Sequence, residues 1–170
     1  MKKLLLLSFT FLLAGCVHHL MPQECQTMNW YGEGVMDGAA GKNPRDLSQS
    51  EQDCLKFKMN INTELYSNGW NAGVKQYCTP TKDEGVTDGR NGASKDKIKT
   101  IRGDFCPAAG SPLELNSYLD GYNYGIQTYC TYQHGYEMGV GGLEPGDVCP
   151  SNLREKFMAG WNAGRQIKSK

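Results

Sequence analysis

The chain is short of nearly everything that announces a chemistry. It has no surplus of charge, because 18 basic and 18 acidic residues cancel over 170 positions. That balance excludes a broad basic footprint for nucleic acid and a polybasic patch for a membrane surface. There is no CxxC, which removes a zinc knuckle and a thioredoxin-type redox motif. There is no G-x-S-x-G elbow and no D-x-D-x-D-G calcium loop. Past the amino-terminal region no apolar run approaches the length of a membrane-spanning helix. Leu, Ile, Val and Phe are sparse, a composition that alone would suggest disorder. Against that stand a net charge of zero and a supply of 7 Cys, 9 Tyr, 5 Phe and 3 Trp.

The first residues have the order of a processing signal. Lys2-Lys3 is a positive n-region, and Leu4 to Leu13 is an apolar stretch too short to span a bilayer. Leu13-Ala14-Gly15-Cys16 then resembles the bacterial lipobox, in which the cysteine thiol receives a diacylglycerol and cleavage frees its amine for a further acyl chain. Two or more chains anchor stably where one does not. Residues 1–15 therefore read as a signal peptide and 16–24 as a lipidated tether from Cys16. Val17, where an Asp would signal inner-membrane retention, points to the outer membrane, facing the periplasm. His18 and His19 lack a third metal ligand nearby and read as part of a solvated tether.

Six cysteines remain: Cys25, Cys54, Cys78, Cys106, Cys130 and Cys149. An even number in an exported chain reads as a disulfide framework. Alternate cysteines recur at a period of about 50 residues, the signature of stacked supersecondary units. The units are 25–77, 78–129 and 130–170, in one repeat domain from 25 to 170. Two pairings respect the repeat. One closes each unit, as Cys25–Cys54, Cys78–Cys106 and Cys130–Cys149. The other joins Cys54–Cys78 and Cys106–Cys130, leaving Cys25 for Cys149. The first is expected. A helix after Cys130 climbs about 15 Å at 1.5 Å per residue, within the return reach of the loop before Cys149. The alternative asks residues 107–112 to cover about 25 Å, beyond six extended residues.

Each unit carries two glycine pairs spaced by four: Gly34/Gly38 with Gly69/Gly73, Gly85/Gly89 with Gly121/Gly125, and Gly135/Gly139 with Gly160/Gly164. Tyr31, Tyr66, Tyr118, Tyr132 and Phe157 each stand three residues before the first glycine of a pair. Spacings of three and four place these residues on one helical face, small in its middle and aromatic at its end. Each glycine costs a helix about 1 kcal/mol relative to alanine. The expected return is close approach of two helix backbones, as in small-xxx-small packing. The reading is all-α: about six short helices near 28–41, 62–77, 82–93, 113–129, 132–141 and 152–167. Loops marked by Pro and Gly lie between them, and Ser151 is the expected N-cap of the last helix.

The strings Trp30-Tyr31-Gly32-Glu33-Gly34-Val35-Met36-Asp37-Gly38, Gly73-Val74-Lys75-Gln76-Tyr77-Cys78-Thr79-Pro80 and Val148-Cys149-Pro150 resemble a bacterial lipoprotein family catalogued as domain of unknown function 2799. The likeness covers most of residues 24–167. It implies location and a cysteine frame, and no chemistry. The third unit departs from the pattern: Thr131-Tyr132 replaces Thr-Pro, and Met138 stands where Asp37 and Asp88 stand.

Candidate chemistry is thin. His134 lies inside a glycine-bearing helix and reads as structural. Asp83-Glu84 and Glu51 with Asp53 read as solvated faces, and Asp37 and Asp88 as carboxylates on exposed helix sides. No enzyme, cofactor or metal is expected. The recurrent triplets Trp70-Asn71-Ala72, Tyr122-Asn123-Tyr124 and Trp161-Asn162-Ala163 make Trp70, Asn71, Tyr122, Asn123, Trp161 and Asn162 the candidate binding residues, by ring face and amide donors. The competing reading packs the rings in the core. The expected function is a lipid-anchored structural or protein-interaction module of the cell envelope, with glycan or peptide binding as the alternative.

Overall fold

A computed structural model describes residues 19–168, so the signal region 1–15, Cys16 and His18 lie outside the described residues. Within them every regular element is a helix: α1 Pro22–Thr27, α2 Trp30–Ala39, α3 Ser48–Leu55, α4 Thr63–Tyr77, α5 Lys82–Arg90, α6 Lys97–Arg102, α7 Phe105–Ala108, α8 Asn116–Tyr129, α9 Tyr132–Gly141 and α10 Ser151–Lys168. No helix among the described residues is long and apolar enough to cross a membrane.

The six helices expected from glycine spacing are α2, α4, α5, α8, α9 and α10. The other four occupy stretches read as tether or loop. They have eight residues or fewer, too few to show a helical period, and short helices are marginal without tertiary support. Ser151 opens α10 from inside, while the carbonyl of Pro150 accepts from the Leu153 and Arg154 amides.

The described residues form two compact units, 19–28 with 46–61 and 29–45 with 62–168. The segment 25–77, grouped above as one repeat unit, contributes to both. The smaller unit holds α1 and α3, joined by the Cys25–Cys54 disulfide. It buries little apolar surface, and its interior centres on Cys25, Cys54 and the carboxylate of Asp53.

The larger unit is built from three helix pairs, α2 with α4, α5 with α8, and α9 with α10. All twelve paired glycines lie at the crossings. A Cβ on Gly34 would strike the backbone of Tyr66 and Trp70, and one on Gly38 the backbone of Trp70 and Val74. From the other side, Gly69 meets Tyr31 and Gly73 meets Val35 and Ala39. The second pair repeats this, with Gly85 and Gly89 against Tyr118, Tyr122 and Ile126, and Gly121 and Gly125 against Lys82, Val86 and Arg90. In the third, Gly135 and Gly139 face Phe157, Trp161 and Arg165, while Gly160 and Gly164 face Tyr132, Tyr136 and Val140. Contact positions rise together along both helices, so the helices of each pair run parallel.

Parallel helices require a connection that returns the full helix length, and each connection is fixed at both ends. At the far end, Gly41, Gly92 and Gly142 turn the chain with φ of 66°, 63° and 70°, a region glycine enters without steric cost. At the near end a disulfide brings the returning segment back. Cys78 pairs with Cys106 and Cys130 with Cys149, with Cα atoms 5.8 and 5.7 Å apart. With Cys25–Cys54, these are the unit-closing pairs of the two schemes considered. Cys78 caps α4 and Cys130 caps α8, so the cysteine that ends one pair precedes the first helix of the next. Both cystines are core: Cys78 and Cys106 pack with Val74, and Cys130 and Cys149 with Ile98, Tyr118, Tyr122, Ile126 and Phe157.

Candidate functional site

The three candidate rings share one task. Trp70 Nε1 donates to the carbonyl of Lys42 at 2.8 Å, Tyr122 OH to that of Ala93 at 2.8 Å, and Trp161 Nε1 to that of Leu143 at 2.7 Å. Each acceptor is the residue after a left-handed glycine. The rings therefore pin the turn that leaves the first helix of their own pair, and Tyr122 and Trp161 are buried. Their polar atoms are already engaged. Asn71, Asn123 and Asn162, one residue on, are all exposed.

Two of these asparagines open onto grooves with matching construction. Asn71, Val74 and Lys75 of α4 face the segment after Cys106, around a groove of about 380 Å³. Asn123, Ile126 and Gln127 of α8 face the segment after Cys149, around a groove of about 360 Å³. A further groove of about 350 Å³ shares Asn123, Ile126 and Pro150. Asn162 is exposed on α10. An amide that donates and accepts beside an apolar wall can read a peptide bond or a sugar hydroxyl pair.

The acids are placed otherwise than the sequence suggests. Asp37 and Asp88 are each only 7% exposed, not on outer helix faces. Asp37 accepts from Tyr66 OH at 2.9 Å and from Arg45 Nε, and Arg45 also reaches Glu33 at 2.6 Å. Asp88 accepts from Tyr118 OH at 3.0 Å and from Lys97 Nζ at 2.6 Å. Arg102 takes Glu84 and the carbonyl of Tyr77, and stacks on the Tyr77 ring at 4.6 Å. Glu33 with Asp37 and Glu84 with Asp88 thus hold equivalent places, four residues apart; Arg45 serves both acids of the first pair, Arg102 and Lys97 one acid each of the second, and a tyrosine hydroxyl donates to each Asp. In the third pair the same places carry His134 and Met138. There Tyr129 stacks on Phe157 and lies tilted against His134, with centroids 5.8 and 4.5 Å away, and its hydroxyl points to Met138 Sδ at 3.6 Å.

Asp53 is a second correction, since it is 1% exposed rather than on a solvated face. It accepts from His19 Nδ1 at 3.1 Å, the Leu20 amide at 3.1 Å, Gln49 at 3.1 Å and Lys56 at 2.7 Å. His19 and Leu20, read as solvated tether, are thereby fastened to α3. Sequence reasoning missed this because the partners lie more than 30 positions apart and no period links them.

These surroundings set the proton affinities. The Lys56 ammonium, working against burial and helped by His19, the Leu20 amide and Gln49, holds the Asp53 carboxyl well below the usual carboxylate range. Burial, then the Asp88 carboxylate, push the Tyr118 phenol well above its ordinary value. Burial opposes the Arg45 charge, but hydrogen bonds to Glu33 and Asp37 outweigh it and raise its proton affinity. For Glu84, burial likewise works the other way, and Thr81 and Arg102 together pull the carboxyl below normal. These acids and phenols serve as fixed charge partners between helices, a role in which burial without a partner would be costly. Among the described residues no group of three or more His, Cys, Asp or Glu could hold a metal ion.

Comparison with known proteins gives a family without a chemistry. No curated protein matches the chain, and no solved structure does. One family, described as a protein of unknown function (DUF2799), matches residues 29–84 and again residues 82–166. The first segment takes in α2, α4 and the disulfide-bearing connection between them, and the second takes in α5 to most of α10. The chain belongs to this family.

Proposed function

We propose that the chain is a lipid-anchored cell-envelope protein without catalytic activity, presenting a disulfide-stapled helical domain (residues 25–170) to a protein partner on the periplasmic side of the outer membrane. One observation carries the reading: a lipobox-like string ending at Cys16 precedes a chain whose other six cysteines are all paired. Disulfides of this kind persist in oxidising compartments. The scaffold supports an interaction role, because its buried acids are engaged and exposed amides, Asn71 and Asn123, stand on the rims of its grooves. The test is Cys16→Ser in the native host with metabolic acyl labelling. The expected result is loss of label and release from the membrane fraction, and a labelled, membrane-bound mutant would refute the anchor. Crosslinking in intact cells then identifies the partner.

A second reading, recognition of glycan or peptide, draws on the matched grooves at Asn71 and Asn123. Both asparagines are exposed, so Asn71→Ala and Asn123→Ala should leave the melting temperature unchanged. Weakened retention on cell-wall glycan or on a peptide array would support this reading, and unchanged retention would remove it.

A further inference from the structure

The smaller unit, 19–28 with 46–61, exposes three large apolar side chains although its interior holds almost none. Met21 is 62% exposed, Leu55 52% and Phe57 40%. These residues stand next in sequence to the groups that form the joint at Asp53. Met21 follows Leu20, whose amide is bound to Asp53, and its carbonyl accepts from Cys25 of the disulfide. Leu55 and Phe57 stand just after the disulfide's other half, Cys54, on a turn closed by bonds from the Phe57 and Met59 amides to the Cys54 carbonyl and from Lys58 to Leu55. Lys58 holds a left-handed φ of 58° within that turn.

The chain leading to this joint is short. His19 is bound to Asp53, and only two residues, Val17 and His18, stand between it and Cys16, a reach of at most about 11 Å over three fully extended steps. We infer that the smaller unit rests on the phospholipid surface into which the acyl chains of Cys16 insert, with Met21, Leu55 and Phe57 entering the headgroup boundary. This inference rests on the lipid-anchor reading. The reach is the deciding quantity, because a bilayer's interfacial layer is comparably deep. The unit carries Glu24, Asp46, Glu51 and Asp53 against Lys56 and Lys58, with His19 the other titratable side chain. Net attraction to anionic lipid is therefore absent, and the contact is apolar and insensitive to salt. The anchor is thus a seat that fixes the first helices at the membrane, not a long leash.

The test uses the full, processed protein in vesicles of phosphatidylethanolamine and phosphatidylglycerol with brominated acyl chains. Phe57→Trp and, independently, Leu55→Trp serve as reporters beside the three native tryptophans, with Ile101→Trp as an exposed control in the larger unit. Intact mass reports the lipid, and hydrogen exchange of the unmodified protein over residues 55–59, in vesicles against detergent-free lipid-less protein, gives a reading that needs no variant. Lipid mass together with bromine quenching of the reporters beyond the parent and the control, and slowed exchange at 55–59, supports the inference. Lipid mass with no extra quenching and unchanged exchange overturns the seat and leaves the anchor standing. Absence of lipid mass on protein from the native host overturns the anchor reading and this inference with it.

Discussion

Asp88 and Met138 occupy the same place in successive helix pairs, and the ring opposite changes with them: Tyr118 faces the carboxylate, and Phe157 stands where the carboxylate is gone. A buried phenol wants an acceptor and a buried carboxylate wants a donor, so the two are kept or lost together. Tyr118→Phe should therefore cost about 1–3 kcal/mol in a denaturant melt, by stripping a donor from Asp88. Phe157→Tyr should also destabilise, because it puts a hydroxyl into a 1% exposed core position where no carboxylate accepts it; a neutral or stabilising result would show that the site is not closed. The pH dependence has two limbs. Tyr118 is raised in the folded state, so the folded protein binds its proton more tightly than the unfolded chain; its contribution holds below pH about 10 and falls as pH rises from there toward the folded value. Asp53 is lowered, so its contribution is present above pH about 4 and is lost as pH falls through the folded value. Melts at alkaline and acid pH check both limbs, and Asp53→Asn should flatten the second. The sequence already held the clue to the first partnership, since Met138 and Phe157 break the pattern of Asp37/Tyr66 and Asp88/Tyr118 in step. It was unreadable as a contact because the partners sit on different helices about 30 positions apart, while each alone looks like an ordinary polar or aromatic helix residue.

Helix pairing was the most legible level. A glycine costs a helix about 1 kcal/mol relative to alanine, and twelve at a spacing of four make sense only where backbones touch. The parallel direction was less visible: spacing marks the face that is buried but not which way its neighbour runs. The disulfides carry that information, since only a returning segment can bring Cys149 to Cys130. Gly121→Leu should lower stability by several kcal/mol. Its side chain would enter the Lys82 and Val86 backbone, and overpacking costs about 1–3 kcal/mol even in cores that can adjust. Gly141→Ala is the internal control. Gly141 also lies in a helix, but its Cβ would meet only Leu143 at an ordinary 3.8 Å. It should hold or gain up to about 1 kcal/mol through helix propensity. Thermal melts of the two variants separate a packing role for glycine from a propensity effect, and equal losses would contradict the crossings. The short helices α1, α3, α6 and α7 escaped the sequence because they have no period to show. Their order comes from Cys25–Cys54, Cys78–Cys106, the Asp53 cluster and buried Ile98.

For the whole molecule, the thin aliphatic core makes the cystines a large share of what holds the fold. Buried residues include Cys54, Cys78, Cys106, Cys130 and Cys149, while the aliphatic core members are Val74, Ile98 and Ile126. Each bridge contributes about 2–4 kcal/mol, comparable with the net stability of a small domain. The bridges are not equivalent in what they hold. Cys25–Cys54 closes a unit with almost no apolar interior, whereas the other two lie inside the core of the larger unit. Replacing Cys25 and Cys54 by Ser should release α1 and α3 locally, so that hydrogen exchange loses protection at 22–27 and 48–55 while α5, α8, α9 and α10 keep theirs. Replacing Cys130 and Cys149 should instead lower the main melting transition, because both cysteines belong to the buried core that holds Tyr118, Ile126 and Phe157. If the first replacement collapses protection throughout, the two units fold as one cooperative body. If it acts locally, the smaller unit is held chiefly by one cystine and one buried carboxylate, and a reductant or acid strong enough to release them would free it before the rest of the chain unfolds.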